Sequence, residues 1–322
     1  MQNQDNIDNI YNIIGTLAED AFSIIYRVRN INNNTEYAAR IINGNINNYQ
    51  QELQMTTNAS NLNNPNIIHL NNNGTGTITI GGNIQNNMNY LILDFYSKGD
   101  LYKYAKIRKF TEKHAKLIFR KILNGVKALH AAGICHRNLK LGTILLDQNY
   151  NPKISNFAFS TLFQGNNGKI QLHDEVGTGR GRPPQIFSHQ PYNGSKADIF
   201  SLGTILFNLV TNRFGFESAK RQDLVYKFII KNQIDQYWNI ITGQIDFNLS
   251  QEFKDLYIRM VSFNENNRPT IDEILNDNWF NELEALNNAQ LAQLENEVRN
   301  EFLTRENQIN LVNNPPVDDD DE

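Results

Sequence analysis

Two stretches near the middle of the chain concentrate the residues that could do chemistry. The first reads His136-Arg137-Asn138-Leu139-Lys140-Leu141-Gly142-Thr143 and runs into the apolar Ile144-Leu145-Leu146. Eleven residues, 144–154, separate Thr143 from Ser155-Asn156-Phe157-Ala158. The polar groups on offer are amides, hydroxyls and a lysine. The amide of Asn138 cannot take a proton near neutral pH, so it cannot act as a general base. Neither Asn156 nor Thr143 gives a divalent cation the negatively charged oxygen it prefers. Lys140 keeps its charge but has no acidic neighbour within its stretch.

Such loops work only if rigid elements hold them, and the surrounding pattern supplies two kinds. Residues 11–96 read as strand-rich with one helix. Phe22 to Val28 and Glu36 to Ile42 are apolar runs separated by Asn-rich turns, as expected of antiparallel strands. Residues 47–60 have helical composition and carry Glu52. Thr75 to Ile80 and Asn89 to Phe95 read as strands, with Gly81-Gly82-Asn83 as the turn between them. From about residue 100 the period becomes helical. Ala115, Ile118, Phe119, Ile122, Val126 and Leu129 recur at three- and four-residue steps over Thr111 to Ala131, with Thr111 placed as a cap. Ala197 to Val210 is nearly all apolar and predicts a central buried helix. Phe253–Val261 and Ile271–Phe280 predict amphipathic helices. Leu291, Leu294, Val298 and Phe302 form the stripe of a further helix over 281–312, either docked on the preceding helices or open to a partner or a second copy.

Composition narrows the function classes. The chain has 322 residues, 40% hydrophobic and 20% charged, enough for a full core. A net charge of −4 gives no general attraction to nucleic acid or to a membrane surface. A spanning helix needs about 18 or more apolar residues, and no run approaches that. The single cysteine, Cys135, cannot form an internal disulfide, which points to a reducing, cytoplasmic compartment. Clusters such as Asn71-Asn72-Asn73 read as compositional bias in loops.

Residues 11–280 resemble the eukaryotic protein kinase superfamily, in style its calcium/calmodulin-dependent-like serine/threonine group. The motifs that carry the likeness recur in order. Leu17-Ala18-Glu19-Asp20-Ala21-Phe22-Ser23 stands at the glycine-rich loop, Tyr37-Ala38-Ala39-Arg40 at the A-x-K strand and Glu52 at the helix glutamate. Asn64-Pro65-Asn66-Ile67-Ile68 follows. His136 to Thr143 stands at H-R-D-L-K-x-x-N, Ser155-Asn156-Phe157-Ala158 at the D-F-G region, and Ala197-Asp198-Ile199-Phe200-Ser201-Leu202-Gly203 and Asn267-Arg268-Pro269-Thr270 at the late motifs. The resemblance implies an α+β, bilobal fold: a small antiparallel lobe with one helix over 11–96 and a mainly helical lobe over 97–280, joined near Asp94-Phe95-Tyr96. Residues 1–10 would be an extension, 281–312 a C-terminal helix and 313–322 an acidic tail.

Set against the family's motifs, the chemistry is edited. The glycines that let backbone amides approach phosphates become Ala18, Asp20 and Ser23, and the Asp20 carboxylate would repel a triphosphate. Arg40 replaces the phosphate-contacting lysine. It is expected to pair with Glu52 as a structural clamp, with phosphate contact and a solvent-facing arginine as the other roles. Asn138 replaces the catalytic Asp, with Lys140 retained; Thr143 and Asn156 replace the metal ligands. Ile25, Ala38 and Leu145 match the apolar slot for adenine, with Asp94 and Tyr96 at its linker. His136 and Phe157 match stacked residues between the lobes, and Asp198 the buried anchor of the catalytic loop. Gln185 cannot make the ion pair that the family's Glu makes with the arginine matched by Arg268. Asp174 lies where an activating phosphothreonine is common; it would mimic that group against Arg137 or be an ordinary loop carboxylate.

The reading is a pseudokinase with phosphoryl transfer impaired or absent, acting as a signalling scaffold or allosteric regulator. The alternatives are a weakly active ATP-dependent serine/threonine kinase and a metal-independent nucleotide sensor. No cofactor is expected; ATP would bind weakly and Mg²⁺ would not be held. The expected partner is another protein, such as an active kinase or its substrate.

Overall fold

The computed structural model describes residues 5–20, 22–42, 46–165, 168–243 and 248–313. Six strands open the chain: β1 (Asn6–Ile7), β2 (Tyr11–Glu19), β3 (Ser23–Asn30), β4 (Glu36–Ile42), β5 (Leu70–Ile80) and β6 (Asn83–Asp94). They pair antiparallel in the order β1-β2-β3-β4-β6-β5, and the sheet closes because β1 pairs with both β2 and β5. The residues expected as an N-terminal extension therefore include a strand of this sheet. Alternation divides each strand between two cores. Ala39 and Ile41 of β4 and Tyr90 and Ile92 of β6 point into the closed sheet with Ile7 and Val28. Ile42 of β4 and Leu91 and Leu93 of β6 face the opposite way and join the core of the helical part. Helix α1 (Ile46–Ser60) lies on that second side and contributes Met55 and Ala59.

The β5–β6 hairpin is longer than expected. Gly81 and Gly82 form its turn at φ +56° and +82°, a left-handed backbone that side chains resist. Asn71, Asn72 and Asn73 are strand residues of β5, not loop residues. A register shift between Leu70 and Asn72 accommodates them at the solvent side. There Asn71 Nδ2 donates to Asp94 Oδ1 at 2.7 Å and Asn72 Nδ2 to the Tyr11 hydroxyl at 3.2 Å. Exposed amides with such partners cost a strand little, so composition misled.

The helical part begins with α2 (Leu101–Ala105) and α3 (Glu112–Ala131), then β7 (Ile134–Cys135), β8 (Ile144–Leu146) and β9 (Pro152–Ile154). Thr111 caps α3 by accepting from the His114 amide, and the predicted stripe from Ala115 to Leu129 is buried. Helices α4 (Pro184–Phe187), α5 (Gly194–Thr211), α6 (Tyr226–Ile230), α7 (Ile234–Gly243), α8 (Gln251–Met260) and α9 (Ile271–Leu275) follow. Helix α5 is apolar nearly all round because α3 and α8 both pack on it. The helix expected over 271–280 stops at Leu275. Asp277 caps a separate 3-10 turn there by accepting from the Trp279 amide.

The C-terminal segment is α10 (Asn281–Glu284) and α11 (Asn288–Asn313). Helix α11 is docked. Leu294, Val298 and Phe302 are buried, and Phe302 stacks on Tyr150 at 5.1 Å between ring centres. Arg305 is fully buried, donates to the carbonyls of Tyr104, Arg108 and Lys109, and sits 3.5 Å above the Phe110 ring. Glu306 pairs with Lys98 at 2.8 Å and accepts from the Tyr150 hydroxyl. The acidic run Asp318–Glu322 lies outside the described residues.

Candidate functional site

A cleft of about 390 Å³ lies between the closed sheet and the helical part. Strand alternation explains its roof: Ala38 and Arg40 share the face of β4 that Ile42 uses, opposite Ala39 and Ile41. Ala18, Asp20, Ser23, Ile25, Ala38, Arg40, Asp94, Tyr96 and Leu145 all line the cleft, together with Glu52, Lys140, Thr143 and Asn156. Asn138 is not part of the lining. Residues 134–137 are apolar or buried, so sequence periodicity could not show which side of the loop each would take.

At the tip of the β2–β3 hairpin, Asp20 does more than the expected repulsion. The amides of Phe22 and Ser23 both donate to Asp20 Oδ1 at 2.8 Å, and the Ser23 hydroxyl adds a third bond at 3.2 Å. The carboxylate thus takes up the backbone donors of its own turn. Burial pushes the Asp20 carboxyl up, but the Phe22 amide, the Arg40 charge and the Ser23 bonds outweigh it and hold it below its ordinary value.

Below the hairpin, Arg40 Nε lies 2.8 Å from Glu52 Oε1, and both side chains are about nine-tenths buried or more. This ion pair ties β4 to α1, as the sequence suggested. Burial dominates Glu52 and raises its carboxyl above the ordinary range, although the Arg40 charge pulls the other way.

The loop of residues 136–143 is anchored from behind. Asp198, fully buried on α5, accepts from the amides of His136 and Arg137 at 2.8 and 2.7 Å and lies 2.9 Å from His130 Nε2. His136 Nε2 lies 2.9 Å from the Ser155 carbonyl, and its Nδ1 accepts from the Asn138 amide. A carbonyl can only accept, so the ring is neutral with its proton on Nε2. Complete burial also lowers its basicity. The His136 ring meets Phe157 edge-on at 5.3 Å.

The front of the loop is a set of amides and hydroxyls. The Thr178 hydroxyl donates to Asn138 Oδ1 at 2.9 Å, a contact with no signal in the local sequence. The Thr143 hydroxyl bonds within its own loop, to the Lys140 amide at 3.1 Å and to the carbonyls of Asn138 and Lys140. Asn156 adopts φ +66°, and its buried Oδ1 has no hydrogen-bond partner. Among the described residues no three His, Cys, Asp or Glu side chains converge as metal ligands.

The segment that follows is held against the loop. Arg137, 2% exposed at its side chain, pairs with Asp174 at 2.8 Å and donates to the Phe159 carbonyl and the Tyr192 hydroxyl. Gly177 needs its lack of a side chain: at φ +94°, a Cβ would lie 2.8 Å from the Arg137 carbonyl oxygen. Gln185 keeps the link to Arg268 as a neutral bond, accepting from Nη2 at 2.7 Å. Burial without an acid in contact leaves that guanidinium weakened, at about 10.

The protein kinase domain matches residues 11–280. The chain belongs to that family. Its kinase domain is 33% identical over 192 residues to CBL-interacting serine/threonine-protein kinase 26 of Arabidopsis thaliana, covering 59% of this chain and 42% of that protein. It is 32% identical over 217 residues to CBL-interacting protein kinase 24 of Oryza sativa subsp. japonica, covering 67% and 43%. The probable serine/threonine-protein kinase MARK-B of Dictyostelium discoideum is 32% identical over 196 residues, covering 59% and 26%. The chain spans less than half the length of these relatives. No described helix of the kinase domain or its C-terminal extension is long and apolar enough to cross a membrane.

Proposed function

We propose that this kinase domain is a binding module, a pseudokinase that acts as a scaffold or allosteric regulator while phosphoryl transfer is impaired or absent. The observation that carries the reading is the Asp20 turn. Backbone amides that a phosphate would need are already bonded to a carboxylate of the same loop. A triphosphate entering there would have to displace that carboxylate and then lie beside it. Asn156 and Thr143 supply neutral oxygens where Mg²⁺ calls for charge, so the residues present do not fit a metal–nucleotide pair, and no step is routed through one. With Asn138 unable to accept a proton, the loss of general-base help alone removes about 10²–10⁴ in rate.

The names of the relatives favour a second reading, weak ATP-dependent phosphorylation of serine or threonine, since all three are named as kinases. Two of those names also state an interaction with CBL, which supports a protein partner as part of either reading. One pair of measurements separates the two. Thermal shift is recorded with ATP, with and without Mg²⁺ or Mn²⁺; a ligand at 100 times its Kd stabilises by about 2.7 kcal/mol. Transfer of radiolabel from ATP to a generic protein substrate is then measured. The proposal expects no metal-dependent shift and no transfer. A metal-dependent shift with turnover abolished by chelation would replace it with the kinase reading.

A further inference from the structure

Helix α11 lies beyond residue 280, where the match to the protein kinase domain ends. Its later turns nevertheless meet the chain where the cleft opens. Tyr96, Gly99 and Asp100, on the stretch that runs from the linker into α2, line the cleft. Lys98 lies among them in sequence, and α2 follows at Leu101.

Two neighbouring residues of α11 make the polar contact. Glu306 accepts from Lys98 Nζ at 2.8 and 3.1 Å and from the Tyr150 hydroxyl at 2.5 Å. Burial pushes the Glu306 carboxyl up, but the Lys98 and Tyr150 bonds outweigh it and hold it below its ordinary value. The Tyr104 hydroxyl in turn donates to the Lys98 carbonyl at 3.0 Å. Arg305 Nη1 donates to the carbonyls of Tyr104 and Arg108 at 2.9 and 2.6 Å, and Nη2 to that of Lys109 at 3.0 Å. One buried guanidinium thus gathers the end of α2 and the segment that leads to α3. Between the two polar contacts, Phe302 meets Tyr104, Phe110 and Tyr150 at 5.3, 5.4 and 5.1 Å between ring centres.

We infer that α11 braces the mouth of the cleft, so that its docking and the order of the linker and α2 depend on each other. The stretch has little slack. Lys98 is two residues from Tyr96 and two from Asp100, and two residues span at most about 7 Å, so a shift at Lys98 is felt at lining residues on both sides. The lip is also tied across the cleft floor and into α2: the Leu146 amide donates to the Gly99 carbonyl at 2.9 Å, and Asp100 caps α2 by accepting from the Lys103 amide at 2.8 Å. The brace holds whether or not the cleft transfers phosphate.

Hydrogen exchange read by mass spectrometry on the full chain, without ligand, tests it in both directions. From α11, Glu306→Gln keeps the shape and removes the charge; it should quicken exchange over residues 98–107 by about tenfold. Arg305→Lys keeps the charge and removes the fork, and should do the same over residues 104–109. From the cleft side, Asp100→Ala should quicken exchange over residues 301–309, since coupling is reciprocal. Glu297→Gln, at the partly exposed pair with Lys113 earlier in α11, should change neither region. Exchange in α5 should stay within about twofold of the natural chain throughout, the mark of a local response. Unchanged exchange over 98–109 in both α11 variants would overturn the inference. So would a response to Asp100→Ala confined to α2, a response to Glu297→Gln as large as that to Glu306→Gln, or a rise in α5 equal to that at 98–107.

Discussion

The two sides of the loop at residues 136–143 differ in what they do for the fold. Behind it, Asp198 still receives the amides of His136 and Arg137, and Ser155 still receives His136. In front, the residues that match the family's catalytic and metal-binding positions are Asn138, Thr143 and Asn156, with Asp20 closing the hairpin above. The rear bonds satisfy buried backbone, so losing one leaves an unpaired polar group whatever the protein does. Thr143 and Asn156 line the cleft and Asn138 bonds to Thr178, so none of the three holds the rear amides of His136 and Arg137. Architecture and chemistry are therefore separable within a few residues.

The largest expected effect lies at the front of the loop. Combining Asn138→Asp, Thr143→Asn and Asn156→Asp should raise radiolabel transfer from ATP by about 10²–10⁴ over the natural chain, the scale of a restored general base. If the triple variant stays inert, adding Asp20→Gly should release the Phe22 and Ser23 amides and supply the gain. Failure of both would break the idea that the front alone was altered.

The rear comes next. Asp198→Ala should cost about 3–5 kcal/mol in urea unfolding, because it strips an acceptor from two buried amides. A loss below 1 kcal/mol would mean that the loop does not depend on its anchor.

A smaller effect follows from His136. Its folded form resists protonation, so below its ordinary value of 6.5 the unfolded chain binds more protons. Its contribution is complete above pH 6.5 and is lost as pH falls, by at most about 1.4 kcal/mol per unit. The difference in stability between the natural chain and His136→Asn, measured at pH 7.5 and 5.5, should shrink at the lower pH. A constant difference would show that the ring is not held neutral.

The smallest effect should be at Asp174, whose side chain is 59% exposed. Asp174→Asn should cost at most about 1 kcal/mol globally, as exposed pairs do. It should nevertheless quicken protease cleavage within residues 160–185. Unchanged cleavage would reduce Asp174 to an ordinary loop carboxylate.

Much of the frame was legible in the residues. The three- and four-step spacing from Ala115 to Leu129 required a helix with one buried face, and the uniform apolar run of α5 required burial on all sides. Arg40 and Glu52 were legible as a pair because the resemblance put them at the family's strand lysine and helix glutamate, and a guanidinium suits a carboxylate. The asparagine clusters were misread because an exposed strand face tolerates amides that usually mark turns. The segments at 271–280 and 281–312 carried continuous apolar stripes, and only the local capping bonds show where each breaks.

Residue types alone determined that Asn138, Thr143 and Asn156 carry neutral groups: an amide cannot accept a proton, and no folding can change that. Which donors and acceptors remain free was decided only in three dimensions. Asp20 reaches the amides of its own turn, Thr178 crosses forty residues to Asn138, and α11 buries Arg305 under residues two hundred positions earlier. Such pairings depend on distances that the closed sheet and packed helices impose, and neighbouring sequence carries no record of them.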